Sequence, residues 1–303
     1  MSHIPENLGE RAQWHLCLSH AFLTPRHVGT LEALRDDLVA DLAELNATLG
    51  LGEAATLEQL HRALHAIPDQ EQLLLTYSRL FLAPPAPALP NLGFYLDGAL
   101  MGSSCQQIED LYSAYGLTRD DDFHDTADHI ALYLQFIAWI YAQVMERIEE
   151  AAHEQAQHHL LDAYSTLRKH ALPAMERFIE QLDKAQAELK LPSVYGELAR
   201  LARAALLQDA AAIHRILPED AAPLPTAEAP PAALEEATTS AEMSHCTLCG
   251  KAFVAEAGLQ QMISTLAEKG LSTDHMLVCA DCRASEMGMQ PMKPPQVKKA
   301  SQA

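Results

Sequence analysis

The chain is short of positive charge, of aromatic rings and of long apolar runs, and each shortage excludes a class of protein. Lys and Arg number 21 against 41 Asp and Glu, a net charge of −20 at pH 7. A surface this acidic repels nucleic acid and anionic membrane and attracts basic partners. Aromatic residues make up 6% while Leu and Ala dominate the 49% that is hydrophobic. That composition favours helices over sheets. No run approaches the roughly 20 apolar residues of a membrane span, and residues 1–6 show no basic segment leading into an apolar one, so we expect neither a membrane span nor a secretory signal. A cytoplasmic protein is expected. Cysteine is scarce too: Cys17 and Cys105 stand alone, and the other four form two close pairs. In a reducing compartment such pairs read as metal ligands before disulfides.

What is present over residues 1–217 is helical periodicity. Leu31, Leu34, Leu38, Leu42, Leu45 and Leu49 recur at three or four residues between Thr30 and Gly50, the pattern of an amphipathic helix with its ends marked. Thr56 with Gln59, and Asp69 with Gln72, resemble N-terminal caps. The second of these helices must stop by Ala83, because Pro84, Pro85, Pro87 and Pro90 cannot extend it. Ile108, Leu111, Tyr112 and Tyr115 mark another helix before Gly116. A long one is expected from about Asp125 or Thr126 to about His153, two periodic stretches flank Pro173, and a last helix opens at Ser193. Alternation of period two is nearly absent, and Phe94-Tyr95-Leu96 is the one short extended candidate. The expected fold is all-α, a bundle-like domain of eight to ten helices with a small C-terminal metal-binding module.

Residues 1–217 hold 15 bases against 30 acids, and residues 218–245 add six acids and no base. The latter stretch carries Pro218, Pro223, Pro225, Pro230 and Pro231 and no aromatic ring; it buries too little apolar area to offset its ordering entropy and reads as a linker. A module over 246–290 and a Pro/Lys-rich tail over 291–303, expected to be disordered, complete the division.

The module carries Cys246-Thr-Leu-Cys249 and Cys279-Ala-Asp-Cys282. A two-residue gap lets both sulfurs of a pair reach one tetrahedral ion, and two pairs make a closed four-thiolate site. Gly250 permits the tight turn that follows such a pair. Leu259, Met262, Ile263 and Leu266 suggest one short helix between the pairs, ended by Gly270. Structural zinc on Cys246, Cys249, Cys279 and Cys282 is the leading reading, with His245 or His275 as alternative ligands. In so small a module the metal would supply much of the folding free energy.

The helical body holds no Gly-rich phosphate loop, no Gly-x-Ser-x-Gly and no His-Glu-x-x-His. Its nearest approach to chemistry is His124-Asp125 with Asp128-His129, which with further ligands would make a metal-dependent phosphohydrolase. A third reading is a zinc adaptor whose helices serve assembly.

An ordered series of local features is more specific than any of these. It runs Tyr77-Ser-Arg-Leu80-Phe81-Leu-Ala-Pro84, a Pro-rich loop, Phe94-Tyr95-Leu96-Asp97-Gly98, Met101-Gly102, Tyr112 to Gly116-Leu117, and Asp128-His129-Ile130. In that order it resembles the TorD/DmsD/NarJ family of molybdoenzyme-specific chaperones, the redox enzyme maturation proteins, across about residues 10–215. Ala83 stands where that family usually has Gly, no aromatic precedes the Tyr-Leu-Asp segment in Pro90 to Gly93, and Asp125-Thr126 replaces a Glu-Pro. The resemblance implies an all-helical, non-enzymatic chaperone, with a homodimer allowed. It would bind the twin-arginine signal peptide and apo form of a molybdenum oxidoreductase, assisting cofactor insertion before export or assembly. Carried over by position, the peptide groove would use Leu80, Phe81, Tyr95, Leu96, Asp97, Asp128 and His129. Such a signal carries an Arg pair followed by an apolar stretch, so its receptor needs an apolar groove beside carboxylates. Taken singly, Leu80, Phe81 and Tyr95 read as core residues, and Asp128 as a carboxylate favoured at a helix start.

Overall fold

Leucine and alanine periodicity becomes nine helices among the described residues of the computed structural model, counting as one each rod that continues through a π turn. Those residues are 5–84, 86–120, 122–216, 243–246 and 249–254. The chain divides into two units, Met1–Thr226 and Ala227–Ala303.

The first unit begins with α1 (Leu8–Phe22). The leucine-spaced stretch is α2, formed by Thr30–Ala33, a π turn over Leu34–Leu38, and Val39–Leu49, and it ends at Gly50 with φ 61°. Next come α3 (Ala54–His65) and α4 (Gln70–Phe81). Asp69 caps α4 by accepting the Gln72 N–H at 2.9 Å, as its spacing suggests. Thr56 does not cap α3: the helix starts at Ala54, and the Thr56 hydroxyl donates to Glu53 Oε2 at 2.6 Å.

Phe94-Tyr95-Leu96 is not extended. It lies in the short helix α5 (Leu92–Asp97), which ends at Gly98 with φ 72°. Consecutive aromatic and aliphatic residues also fit one helical turn, and burial of Tyr95 with its ring 5.5 Å from that of Phe178 decides for the helix. After α6 (Ser103–Ala114) comes α7 (Ile130–Glu149). The long helix therefore starts four to five residues later than its periodicity suggests, and His153 opens the next one. That next rod, α8, runs through His153–Thr166, a π turn over Leu167–Ala171, and Leu172–Leu189. Pro173 neither donates an N–H nor tolerates the carbonyl four residues earlier in a regular helix. The widened turn directly upstream accommodates it, so the two periodic stretches are one rod. The last helix is α9 (Val194–His214).

Ten side chains of α7 are buried, spread around the helix from Ile130 to Val144, which makes it the central rod. It packs most extensively on α1 and then on the first half of α8, while α9 packs on the second half of α8 and on α3. Six of the aromatic residues meet in one cluster of the core. Phe22 of α1, Tyr77 and Phe81 of α4, Tyr95 of α5, Phe178 of α8 and Tyr195 of α9 have ring centroids 4.9–6.5 Å apart. Among the described residues no helix is long and apolar enough to cross a membrane.

In the second unit, β1 (Met243–His245) pairs antiparallel with β2 (Ala252–Val254), with Ser244 opposite Phe253. Sequence reading missed this hairpin, because three-residue strands are too short to show alternation. It also takes in the last three residues assigned to the linker. The rest of the expected linker, the helix over 259–266, Cys279, Cys282 and the tail over 291–303 lie outside the described residues.

Candidate functional site

The Pro-rich loop leaves α4 and is stitched back to the core by backbone and side-chain bonds. Ala88 N–H donates to the Leu80 carbonyl at 3.1 Å. The Tyr95 hydroxyl accepts from Leu89 N–H at 3.0 Å and donates to the Leu89 carbonyl at 2.9 Å. From α8, Gln181 Nε2 donates to the Pro87 carbonyl at 2.7 Å and Arg177 Nη1 to the Tyr95 carbonyl at 2.6 Å. Prolines cannot supply these donors, so neighbouring helices do.

The end of the loop is latched to the start of α7. Ile130 N–H donates to the Pro90 carbonyl at 2.7 Å, and Leu92 N–H to the Asp128 carbonyl at 2.9 Å. The buried Asp128 carboxylate accepts from Gly93 N–H at 2.9 Å through Oδ2 and from the Thr126 hydroxyl through Oδ1. Asn91 Nδ2 reaches Asp125 Oδ1 at 2.8 Å and Thr126 Oγ1 at 2.7 Å. His129 caps α7, its Nδ1 accepting from Ala131 N–H at 3.1 Å. Burial lowers the affinity of His129 for a second proton, and the nearby Asp125 and Asp128 charges oppose that without reversing it. The neutral ring with its proton on Nε2 fits that bond.

These geometries account for the seven positions expected to line a peptide groove. Leu80, Phe81, Tyr95, Asp128 and His129 are buried, Leu96 is half-buried, and Asp97 is exposed. Asp97 accepts from Ser104 N–H at 2.7 Å and from the Ser104 hydroxyl at 2.8 Å, which satisfies the start of α6. The latch thus brings Asp128, His129 and the Pro loop together, while Leu80 and Phe81 join the aromatic core. Asp128 Oδ2 and His129 Nδ1 each accept a backbone N–H, and Asp128 Oδ1 accepts the Thr126 hydroxyl, so these atoms serve the latch. Among the described residues no group of three or more His, Cys, Asp or Glu could hold a metal ion.

The latch leaves no room at Gly93. A Cβ there would lie 2.7 Å from Asp128 Oδ2 and 3.1 Å from the Cys105 backbone nitrogen. The carboxylate is held by the Gly93 N–H itself and cannot retreat without losing it. Gly93→Ala should therefore lower stability by about 1–3 kcal/mol, read as a reduced midpoint in urea unfolding with an unchanged slope. A wild-type midpoint would show that the loop is not latched this way. Beside it, burial first and then the Asp128 charge push the Cys105 thiol up to about 11, which keeps it protonated and unreactive.

A different place on the same unit is open to solvent. Between α1, α7 and the segment after α6 lies a cavity of about 470 Å³, walled by Leu16, Leu132, Phe136 and Trp139, with His20 and Arg119 at its edge. Leu16 is 41% exposed, and Leu132 and Trp139 are half-buried. The exposed acids Asp120 and Asp122 follow directly on Leu117, Thr118 and Arg119 of the cavity wall. No motif marks these residues. The available sequence signal was slight: Leu16 falls off the Trp14, Leu18, Phe22 stripe that α1 buries.

In the second unit, Cys246 N–H donates to the Lys251 carbonyl at 3.0 Å and Gly250 N–H to the Cys246 carbonyl at 2.9 Å, with Gly250 at φ 71°. This tight turn carries the first cysteine pair, Cys246 buried and Cys249 exposed.

Parts of the chain are similar to known proteins. Residues 35–180 match the family model described as nitrate reductase delta subunit. A chaperone protein TorD from Vibrio cholerae serotype O1 is 29% identical over 170 residues, covering 54% of this chain and 74% of that protein. A chaperone protein TorD from a Psychrobacter species is 30% identical over 161 residues, covering 50% of this chain and 71% of that one. A crystal structure from Archaeoglobus fulgidus, assigned to redox enzyme maturation, is 20% identical with a TM-score of 0.37, covering 64% of this chain and 91% of that one. At that score the likeness carries no argument.

Proposed function

The chain belongs to the TorD family of redox-enzyme-maturation chaperones, and from that premise we propose that it binds the twin-arginine signal peptide and the apo form of a molybdenum oxidoreductase. Holding the client until its cofactor is inserted, before export or assembly and in the cytoplasm, is the role that follows. The observation that carries this reading is charge: residues 1–217 hold twice as many acids as bases. A peptide that begins with an Arg pair is drawn to such a surface, and its apolar stretch needs cover from water. Titration of the full chain with a synthetic peptide bearing two adjacent arginines and a leucine-rich stretch tests it. Binding should weaken only partly as salt rises, because screening acts on exposed charge and hardly on apolar burial. Equal affinity for a peptide with both features replaced would refute specific recognition.

For the second unit we propose one structural zinc ion held by Cys246, Cys249, Cys279 and Cys282. The glycine-assisted turn at Cys246–Gly250 supports it, since the turn gathers one pair and leaves two further thiolates to complete a tetrahedral set. Four thiolates leave no open position for water, so the metal's contribution would be folding free energy. Elemental analysis of protein purified without added metal should find one equivalent per chain. Less than half an equivalent, or metal retained after Cys279→Ser with Cys282→Ser, would sink the assignment.

A further inference from the structure

The geometry points to the cavity between α1 and α7 as the docking site for one helical turn of a signal peptide's apolar stretch, with its arginine pair at Asp120 and Asp122. This inference rests on the reading above and adds where on the chain it takes place.

Three observations carry it. The cavity is apolar and open: Leu16 is 41% exposed in the middle of a helix whose other large apolar residues are buried, and Trp139 shows part of its ring. Its volume, about 470 Å³, falls within the range of about 300–1,000 Å³ for ligand pockets. That space takes a few large side chains, not a whole apolar stretch. A helical turn supplies such a group from positions i, i+3 and i+4 on one face.

The third observation is charge. Among the described residues no carboxylate lines the cavity, so a cation must be met at its mouth. The base at the mouth, Arg119, is already engaged: it donates to the Asp125 carbonyl and pairs with Glu109 Oε1 at 3.3 Å. Asp120 and Asp122 are exposed, and among the described residues neither has an ion pair; the Asp120 carboxylate accepts only the Asp122 N–H at 3.0 Å. Exposed acids next in the chain to the wall residue Arg119, and leucines within the cavity, match the order of the peptide, cationic residues first and apolar stretch after. The buried latch residues then act at one remove: Asp128, His129 and Asn91 hold the end of the acidic loop and the start of α7, which forms the cavity wall.

The molecule supplies its own reporter. It has two tryptophans; Trp14 is fully buried, and Trp139 lines the cavity. With the full chain and the synthetic peptide described above, Trp139 emission should shift to the blue and saturate at the affinity measured by calorimetry. Leu16→Asp should weaken binding about tenfold or more while keeping the wild-type melting temperature. Asp120→Asn with Asp122→Asn should weaken it severalfold and flatten its salt dependence. If wild-type protein binds no peptide, the functional reading fails and this site with it. If it binds but Trp139 emission stays unchanged, the peptide docks elsewhere and only the site is refuted. The fluorescence arm needs no variant, so misfolding of Leu16→Asp cannot rescue the proposal. Concentration-dependent dimers in sedimentation that Leu16→Asp abolishes would overturn it in favour of a second copy as the occupant.

Discussion

Asp209→Asn should destabilise the helical unit by about 3–5 kcal/mol, the cost of breaking a buried ion pair from one side. Asp209 is 2% exposed on α9 and faces two residues of α1. Its Oδ1 pairs with the Arg11 guanidinium, and its Oδ2 accepts from His15 Nε2 at 2.6 Å. Arg11 also donates to the Glu6 carbonyl at 3.1 Å and to Gln208 Oε1 at 3.2 Å. With the carboxylate gone, a guanidinium and a fully buried imidazole lose their partner in a region of low dielectric. Replacing the whole set by apolar residues, as in Arg11→Met with His15→Leu and Asp209→Met, should recover most of the loss, since no charge is then stranded. Guanidinium unfolding of the three proteins decides the matter; a single variant within 1 kcal/mol of wild type would show the pair to be dispensable.

The same group gives stability a direction with pH. Burial by itself raises the Asp209 carboxyl, but the hydrogen bond and charge of His15 and the Arg11 guanidinium outweigh it and hold the group below its ordinary value. The folded chain therefore releases this proton more readily than the unfolded chain. The stabilisation is complete above the unfolded carboxylate value, about 3.9, and is lost as pH falls below it. Asp209→Asn should flatten the acid limb of the stability curve and leave the limb above neutrality unchanged.

Legibility in the sequence followed the range of the interaction. Leu31 through Leu49 and the cap at Asp69 depend on residues three or four apart, and both are where periodicity put them. Arg11 and Asp209 are 198 positions apart, and nothing local marks either as half of a pair. The start of α7 was misplaced for a related reason. Asp125, Thr126 and Asp128 look like cap residues, but their side chains turn to Asn91 and Gly93 across the Pro loop, which leaves His129 to cap the helix. The ordered series identified the family because order survives such displacement. It did not say which of its residues face solvent, since burial and recognition use the same apolar side chains. The open cavity drew on Leu16 and Trp139, whose exposure depends on which neighbouring helix stops short of covering them.

Phe81→Ala separates these two uses of an apolar residue. Were the ring a groove anchor, its loss would cost binding and leave the unit intact. Its surroundings say otherwise: Phe81 is 4% exposed, and its ring lies 4.9 Å from Tyr77, 5.1 Å from Tyr195 and 6.5 Å from Phe178. Tyr77 and Tyr195 meet it edge-on, at interplanar angles of 65° and 82°, the arrangement in which aromatic quadrupoles attract. Removing the ring leaves a cavity where α4, α8 and α9 converge, and the rigid helices around it collapse only in part. The expected cost is about 3–5 kcal/mol of stability, with lower melting temperature and slower loss of helicity in circular dichroism than of tertiary signal. Peptide affinity measured well below the new melting temperature should stay near wild type, because the open cavity is walled by α1 and α7 and not by Phe81. A variant that melts like wild type yet no longer binds peptide would return Phe81 to the groove and displace the α1–α7 cavity from that role.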